Sequence, residues 1–289
     1  MMEATAGLNG LYRRRRAMDR FMTALMVAAA VLAVIPLVLI ITYVLKEGLG
    51  ALNLDLLTQD PSRPGRPGGG FRNSIVGSGI MVGTALVIGV PIAVGCGVFL
   101  AEYGQGKAGS VLRFLVDVLA GIPSITVGLF VYGILVLPRH EFTAFAGAVA
   151  LAIILLPIVA RITEEMVLLV PRSLREASLA LGAPRWKTIV RIVLPGALPG
   201  IVTGVVLALS RIAGEAAPLL FTTLGNNFYS TDLFAPMDAL PLRIFTYAVG
   251  PYDYWHEQAW AMSLLLVATI FFISLAVRAI FGTRVVVRQ

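Results

Sequence analysis

Long apolar runs alternate with short polar stretches along the whole chain. The runs fall at about 21–45, 73–100, 113–137, 142–160, 196–221 and 259–280, and each reaches the roughly 18 to 20 apolar residues that a helix needs to cross a bilayer. The pattern predicts an all-α integral membrane protein with six transmembrane helices. The first run follows a charged stretch, as a secretory leader would. From Phe21 to Leu45 it is longer than the roughly 7–15 apolar residues of a leader core, and it continues into "YVLKEG" without a small-residue cleavage site. It therefore reads as a retained first span.

Composition supports the pattern. Of 289 residues, 58% are hydrophobic and 13% charged, and mean hydropathy is +0.87, against about 25% charged in ordinary globular chains. Cys96 is the only cysteine, so neither a disulfide framework nor a CxxC site exists, and His140 and His256 lie too far apart in sequence for a metal-ligand cluster. The net charge of +7 matters through its placement and implies no nucleic-acid partner. With both termini cytoplasmic, the inner segments hold Arg13–Arg16, Arg20, Lys107, Arg113, six basic residues between Arg161 and Arg191, Arg278, Arg284 and Arg288, which is sixteen of the 23. The outer segments hold Lys46, Arg63, Arg66, Arg72, Arg139 and Arg243, and Arg211 falls within a span. The positive-inside rule thus places both ends in the cytoplasm. The expected order is a basic tail (1–20), a first transmembrane helix (21–46), an external loop (47–72), a bundle (73–280) with a cytoplasmic loop (161–195), and a short tail (281–289).

Two features of the spans and loops carry packing. The second span contains a Gly79-x3-Gly83 pair among six glycines, which predicts close helix packing there. The outer loop after the fifth span, from about 222 to 259, mixes acidic, amide, aromatic and proline residues and is long enough to fold as a cap or docking surface.

The cytoplasmic stretch "EASLALGAPRWKTIVRIVLP", 176–195, is too charged to lie in lipid. Ser173 and Glu176 have capping-box spacing, Gly182 suits a left-handed helix stop, and Pro184 suits the start of the next helix. Leu174, Ala177 and Leu181 share one face, and Trp186, Ile189, Val190 and Val193 form an amphipathic stripe. Pro195 and Gly196 mark entry to the fifth span. An interfacial helix resting on anionic lipid would explain the charges and Trp186 but not the abrupt turn.

The stretch resembles the cytoplasmic loop of binding-protein-dependent ATP-binding-cassette importers, whose pattern is E-A-A, three residues, G, nine residues, I-x-L-P. Here Glu176-Ala177-Ser178 precedes Gly182, and Ile192-Val193-Leu194-Pro195 follows; only Ser178 departs, a small residue for a small residue. The resemblance implies a type I importer permease fold whose coupling helices dock into a separate ATPase through Glu176, Ala177, Ser178 and Gly182. The chain itself lacks a phosphate-cradling P-loop: in "YGQGKAGS" the leading position is Ala101 and Lys107 is followed by Ala108. No cofactor is expected here, with ATP and Mg held by the partner ATPase.

Arg211 and Glu215 are ionisable residues in the fifth span, where each costs about 2.5–3.5 kcal/mol on insertion scales. At i, i+4 spacing they can pair on one helical face. A guanidinium offers a planar fork of donors to an oxyanion; a permanent buried pair that fixes packing is the structural alternative. "RIAGEAAPLLFTT" (211–223), "GGGFRNSIVGS" (68–78) and "AGIPSITVGLF" (120–130) resemble the spans of the phosphate permease subunits of this importer class. The resemblance implies half of a phosphate pathway in a bacterial plasma membrane, partnered by a homologous second permease subunit, two ATPase subunits and an external phosphate-binding protein. It makes Arg211 the anion's contact, Glu215 its positioning partner and Ser124 a pathway hydroxyl, although a hydroxyl bonded to its own helix backbone is the plainer reading of Ser124. Sulfate or molybdate is the alternative substrate, since a guanidinium accepts any oxyanion. A membrane enzyme acting on lipid phosphates would need a nucleophile, metal cluster or acid–base pair that the spans do not offer, Asp117 having no evident partner.

Overall fold

A computed structural model describes residues 2–282, with side chains from 12 to 281; the expected tail from 283 on, with Arg284 and Arg288, lies outside the described residues. The order is α1 (Met2–Ala51), α2 (Leu54–Thr58), α3 (Arg72–Tyr103), α4 (Lys107–Gly121), α5 (Ser124–Val131), α6 (Ala144–Leu169), α7 (Arg172–Ala180), α8 (Arg185–Thr188), α9 (Leu194–Ala213), α10 (Ala217–Thr222), α11 (Leu240–Ala248) and α12 (Asp253–Gly282). Two π turns, Tyr132–Val136 and Ile189–Val193, follow α5 and α8. Among the described residues, β pairing is limited to one isolated bridge, Pro61 to Gly69.

Among the described residues, five helical stretches are long and apolar enough to cross a membrane. A sixth crossing forms if Lys107–Gly121 and Ser124–Val136, bent by 102°, are one broken span. The break has a local cause. Pro123 has no N–H to continue the α4 ladder and drives Ile122 into an extended conformation (ψ 130°), so the expected third span becomes two helices. The fifth span also departs from expectation. Its helix runs from Arg185 through the π turn and α9 to Ala213, so Pro195 and Gly196 lie within a continuous helix. The π turn sits just before Pro195, whose missing N–H removes one α-helical donor.

The centre of the bundle is α3 against α6, its most extensive helix pair. Gly77, Met81, Ala85, Gly89, Ala93 and Gly97 recur every fourth residue on the buried face of α3. A Cβ at Gly97 would stand 2.5 Å from the Ala160 carbonyl oxygen, and one at Gly89 3.0 Å from Leu155. Gly79 and Gly83, the pair the spacing favoured, face open space. Small residues do bring these helices together, but the register puts other glycines at the contact.

At one end, α2, the 223–239 segment and α11 fold over the bundle. Asp238, buried, accepts from Arg243 Nε at 2.6 Å and from the Ser74 hydroxyl at 2.5 Å. Arg243 also donates to Asn227 Oδ1 at 2.7 Å and to the Asn226 carbonyl at 3.2 Å. Burial pushes the Asp238 carboxyl up from its ordinary value, while Arg243 and Ser74 pull it back. At its end near this cap, α1 packs on α12, with Gly48 against Leu264 and Tyr43 edge-on to Trp260 at 4.9 Å. Its apolar surface from Phe21 to Ile41 is exposed in the single chain, as expected of a helix left to lipid or to another subunit.

Candidate anion site and docking loop

Two helix breaks meet inside the bundle. α9 stops at Ala213, and Gly214 to Ala216 separate it from α10, whose Pro218 cannot donate back into the α9 ladder. α10 packs on α5, just beyond the Pro123 bend. The approach is close enough to need a glycine, since a Cβ at Gly128 would lie 2.6 Å from Pro218 Cα.

Beside this crossing is a cleft of about 40 Å³ lined by Ser124, Arg211, Leu119, Ile122, Ile154 and Pro157, among others. The structure thus brings together two of the three residues expected in a substrate pathway. Arg211 lies in the last turn of α9, where the helix dipole favours a cation. Its side chain is 55% exposed in the single chain, and its Nε stands 3.8 Å from Glu215 Oε1.

This corrects two expectations. Glu215 follows the end of α9, so the pair is made across the helix terminus and not along one helical face. A guanidinium this open, with so loose a contact, is also not a buried pair that fixes packing. Ser124 is the first residue of α5, so no preceding turn of its own helix offers a carbonyl to its hydroxyl; the backbone-bonded reading of Ser124 does not hold.

The docking loop is built as two short helices around a left-handed glycine. Gly182 has φ +81°. Its N–H reaches the Leu179 carbonyl at 2.9 Å and the Ala183 N–H reaches that of Ser178 at 3.2 Å, the two bonds of a Schellman stop. Pro184 opens α8 as expected. The capping box does not form: Pro171 precedes α7 with no side-chain cap, and Ser173 sits inside the first turn. The fixed φ of proline already sets the entry of that helix.

Glu176, Ala177 and Gly182 are exposed. Ser178 is not: it is buried, with its hydroxyl 2.8 Å from Thr188 Oγ1, and it ties α7 to α8. The π turn splits the expected stripe, turning Ile189 and Val193 inward and leaving Trp186 and Val190 outside. Leu181 at the loop tip is 89% exposed and Trp186 64%.

Two acidic residues that tie this end of the bundle together were missed from sequence. Glu164, buried on α6, accepts from Arg113 Nε at 2.6 Å and from Arg161 Nη1 at 3.3 Å. Glu102, near the end of α3, stands between Arg175 and Arg185. The available signal was an acidic residue at the end of an apolar run, in segments otherwise basic. Counting the arginines only as topology markers concealed their partners.

Residues 93–287 match the family described as "Binding-protein-dependent transport system inner membrane component". Among solved structures, a chain of a bacterial alginate ABC transporter in complex with its alginate-bound periplasmic protein shares the fold with a TM-score of 0.66 at 15% identity, covering 90% of this chain and 93% of that one. A chain of the inward-facing MetNI methionine ABC transporter does so at 0.59 and 21%, covering 73% and 93%. These likenesses show a type I importer permease fold.

At higher identity, the phosphate transport system permease protein PstA of Yersinia pestis is 43% identical over 93% of this chain and 92% of its own length. PstA 1 of Mycobacterium tuberculosis (strain ATCC 25618 / H37Rv) is 39% identical over 91% and 87%. The chain belongs to the family of binding-protein-dependent transport system inner membrane components, and within it to the group of PstA permeases that these relatives represent. It is a multi-pass membrane permease component of an ATP-driven importer, and ATP hydrolysis falls to a separate subunit.

Proposed function

We propose that the chain forms half of the translocation pathway of an importer for inorganic phosphate. Its relatives carry that substrate in their names. The observation that carries the reading is Arg211: an open guanidinium at a break between two helices, loosely paired, on one cleft with Ser124. A passing oxyanion can take the guanidinium's donors while Glu215 lets go, because a contact of 3.8 Å costs little to exchange. Ser124 opens α5, and the N-terminal end of a helix suits an anion. Broken helices with free ends near the middle of a bundle are a common way to build such a site in transporters.

Both termini lie in the cytoplasm on this reading, and the α2–α11 cap faces outward. The working assembly pairs this chain with a PstC-type permease subunit, two PstB-type ATPases that bind ATP and Mg, and an external PstS-type phosphate-binding protein. Closure of the ATPases pulls on Glu176, Ala177 and Gly182 and on the exposed Leu181 and Trp186, with Ser178 keeping the two loop helices together. The pathway then turns from inward-open to outward-open, and the return step releases phosphate inside. Residues 73–280 form the permease domain, with coupling loop 161–195, behind a separate first span (21–46).

Uptake of labelled phosphate and sulfate by vesicles carrying the assembled complex tests this, with Arg211 intact or changed to Gln. Phosphate entry without sulfate entry, abolished by Arg211→Gln in a complex that still co-purifies with the ATPase, is expected. Normal transport by the variant would make Arg211 structural, and sulfate entry would replace the substrate while leaving the fold and docking loop in place.

A further inference from the structure

The last turn of α3 is held from two sides. On one side is the docking loop. Glu102, with its side chain 6% exposed, has Arg175 Nη1 of α7 at 2.8 Å from Oε1 and Arg185 Nη2 of α8 at 3.8 Å from Oε2. Arg185 also donates to the Glu102 carbonyl and lies over the Tyr103 ring at 4.3 Å. One carboxylate therefore holds both loop helices, which Ser178 and Thr188 already join to each other.

On the other side is α4. Arg113 donates to the carbonyls of Leu100 at 2.9 Å and Gly104 at 3.0 Å, and to Glu164 of α6 at 2.6 Å. From this anchor α4 runs to the Pro123 bend, and the next residue, Ser124, lines the cleft with Arg211.

Burying a carboxylate here carries a desolvation penalty that apolar packing would avoid. What Glu102 provides in return is a directional, charge-dependent tie between the loop and α3. The tie is not at its tightest. Despite the 2.8 Å ion pair, Glu102 Oε1 has no aligned hydrogen bond and neither does Arg175 Nε. A small shift of α7 can close the fork to the bidentate geometry typical of Arg and carboxylate.

We propose that Glu102 is the transmission latch of the permease: the side chain that makes α3, and through Arg113 the helix α4, follow the docking loop when the ATPases move. It is a positioning residue and does not touch the anion. The helix from α8 to Arg211 carries the same displacement to the opposite wall of the cleft, so latch and rod together move both walls. The proposal rests on the importer reading above.

The test uses the whole complex in vesicles with phosphate-loaded binding protein outside. ATP turnover is measured with and without the binding protein, together with phosphate uptake per ATP. Glu102→Gln is expected to cut the stimulation of turnover at least about fivefold, the low end of typical coupling between sites, with unstimulated turnover and ATPase co-purification unchanged. Glu102→Asp, which keeps the charge on a shorter arm, restores part of it. Stimulation at the wild-type level in Glu102→Gln overturns the latch.

If that variant does not assemble, Arg185→Lys decides, because it keeps the charge but loses the planar stack on Tyr103: partial loss of stimulation supports the latch, and full stimulation overturns it. The latch is read from turnover with and without the binding protein, whichever anion that protein carries. A wild-type complex that is stimulated yet takes up no phosphate removes the substrate reading alone.

Discussion

Replacing Gly182 by alanine isolates one property of the docking loop, its backbone handedness. Gly182 has φ +81°, and a Cβ added there would meet nothing within 4 Å, so alanine introduces no clash. The cost is the left-handed conformation itself, about 1–2 kcal/mol for a non-glycine residue. If the Schellman stop is the shape the ATPase binds, that cost falls on the docked state. Docking then weakens by roughly 5- to 30-fold, at 1.4 kcal/mol for each factor of ten. Gly182→Asn, which tolerates this region far better, should recover most of the loss. The assay is the affinity of the detergent-purified permease pair for the ATPase, by co-purification at graded concentration or by calorimetry. Alanine binding as tightly as glycine, with asparagine indistinguishable from both, would refute the reasoning and place the docking energy in the side chains of Leu181 and Trp186.

Three further outcomes follow from the packing. Gly97→Ala should lower the thermal midpoint of the purified protein, because its Cβ would press on the Ala160 carbonyl and Thr163 at an overpacking cost of about 1–3 kcal/mol. Gly83→Ala on the same helix meets nothing and should leave the midpoint unchanged; equal effects would show the α3–α6 register to be wrong. Asp238→Ala strands Arg243, a buried cation, and should cost about 3–5 kcal/mol, seen as loss of monodisperse protein on size-exclusion chromatography; normal yield and melting would mean that the cap is not held by this pair.

The membrane character of the chain, the neighbourhood of its crossings and the shape of the docking turn were determined by sequence alone. Each depends on local properties: a run of apolar side chains long enough for a bilayer, a proline without an N–H, a glycine that accepts positive φ. That is why Gly182 and Pro184 stand where the pattern put them, and why Pro123 and Pro218 explain the broken spans once seen. Arg211 was legible as a candidate because an ionisable group in an apolar run stands out, whereas Ser124 entered only through the resemblance of 120–130 to phosphate permease spans.

Their meeting on one cleft was not legible, since it depends on how α5 crosses α10. The same limit hid the partners of Glu102 and Glu164, and the choice of Gly89 and Gly97 over Gly79 and Gly83 as packing glycines. Burial of Ser178 belongs to the same class. Each is a contact between segments distant in sequence, or a register between two helix faces, and a one-residue rotation about a helix axis changes the partner without changing the local pattern. Local chemistry decided what each segment is; tertiary packing decided which of its side chains face one another.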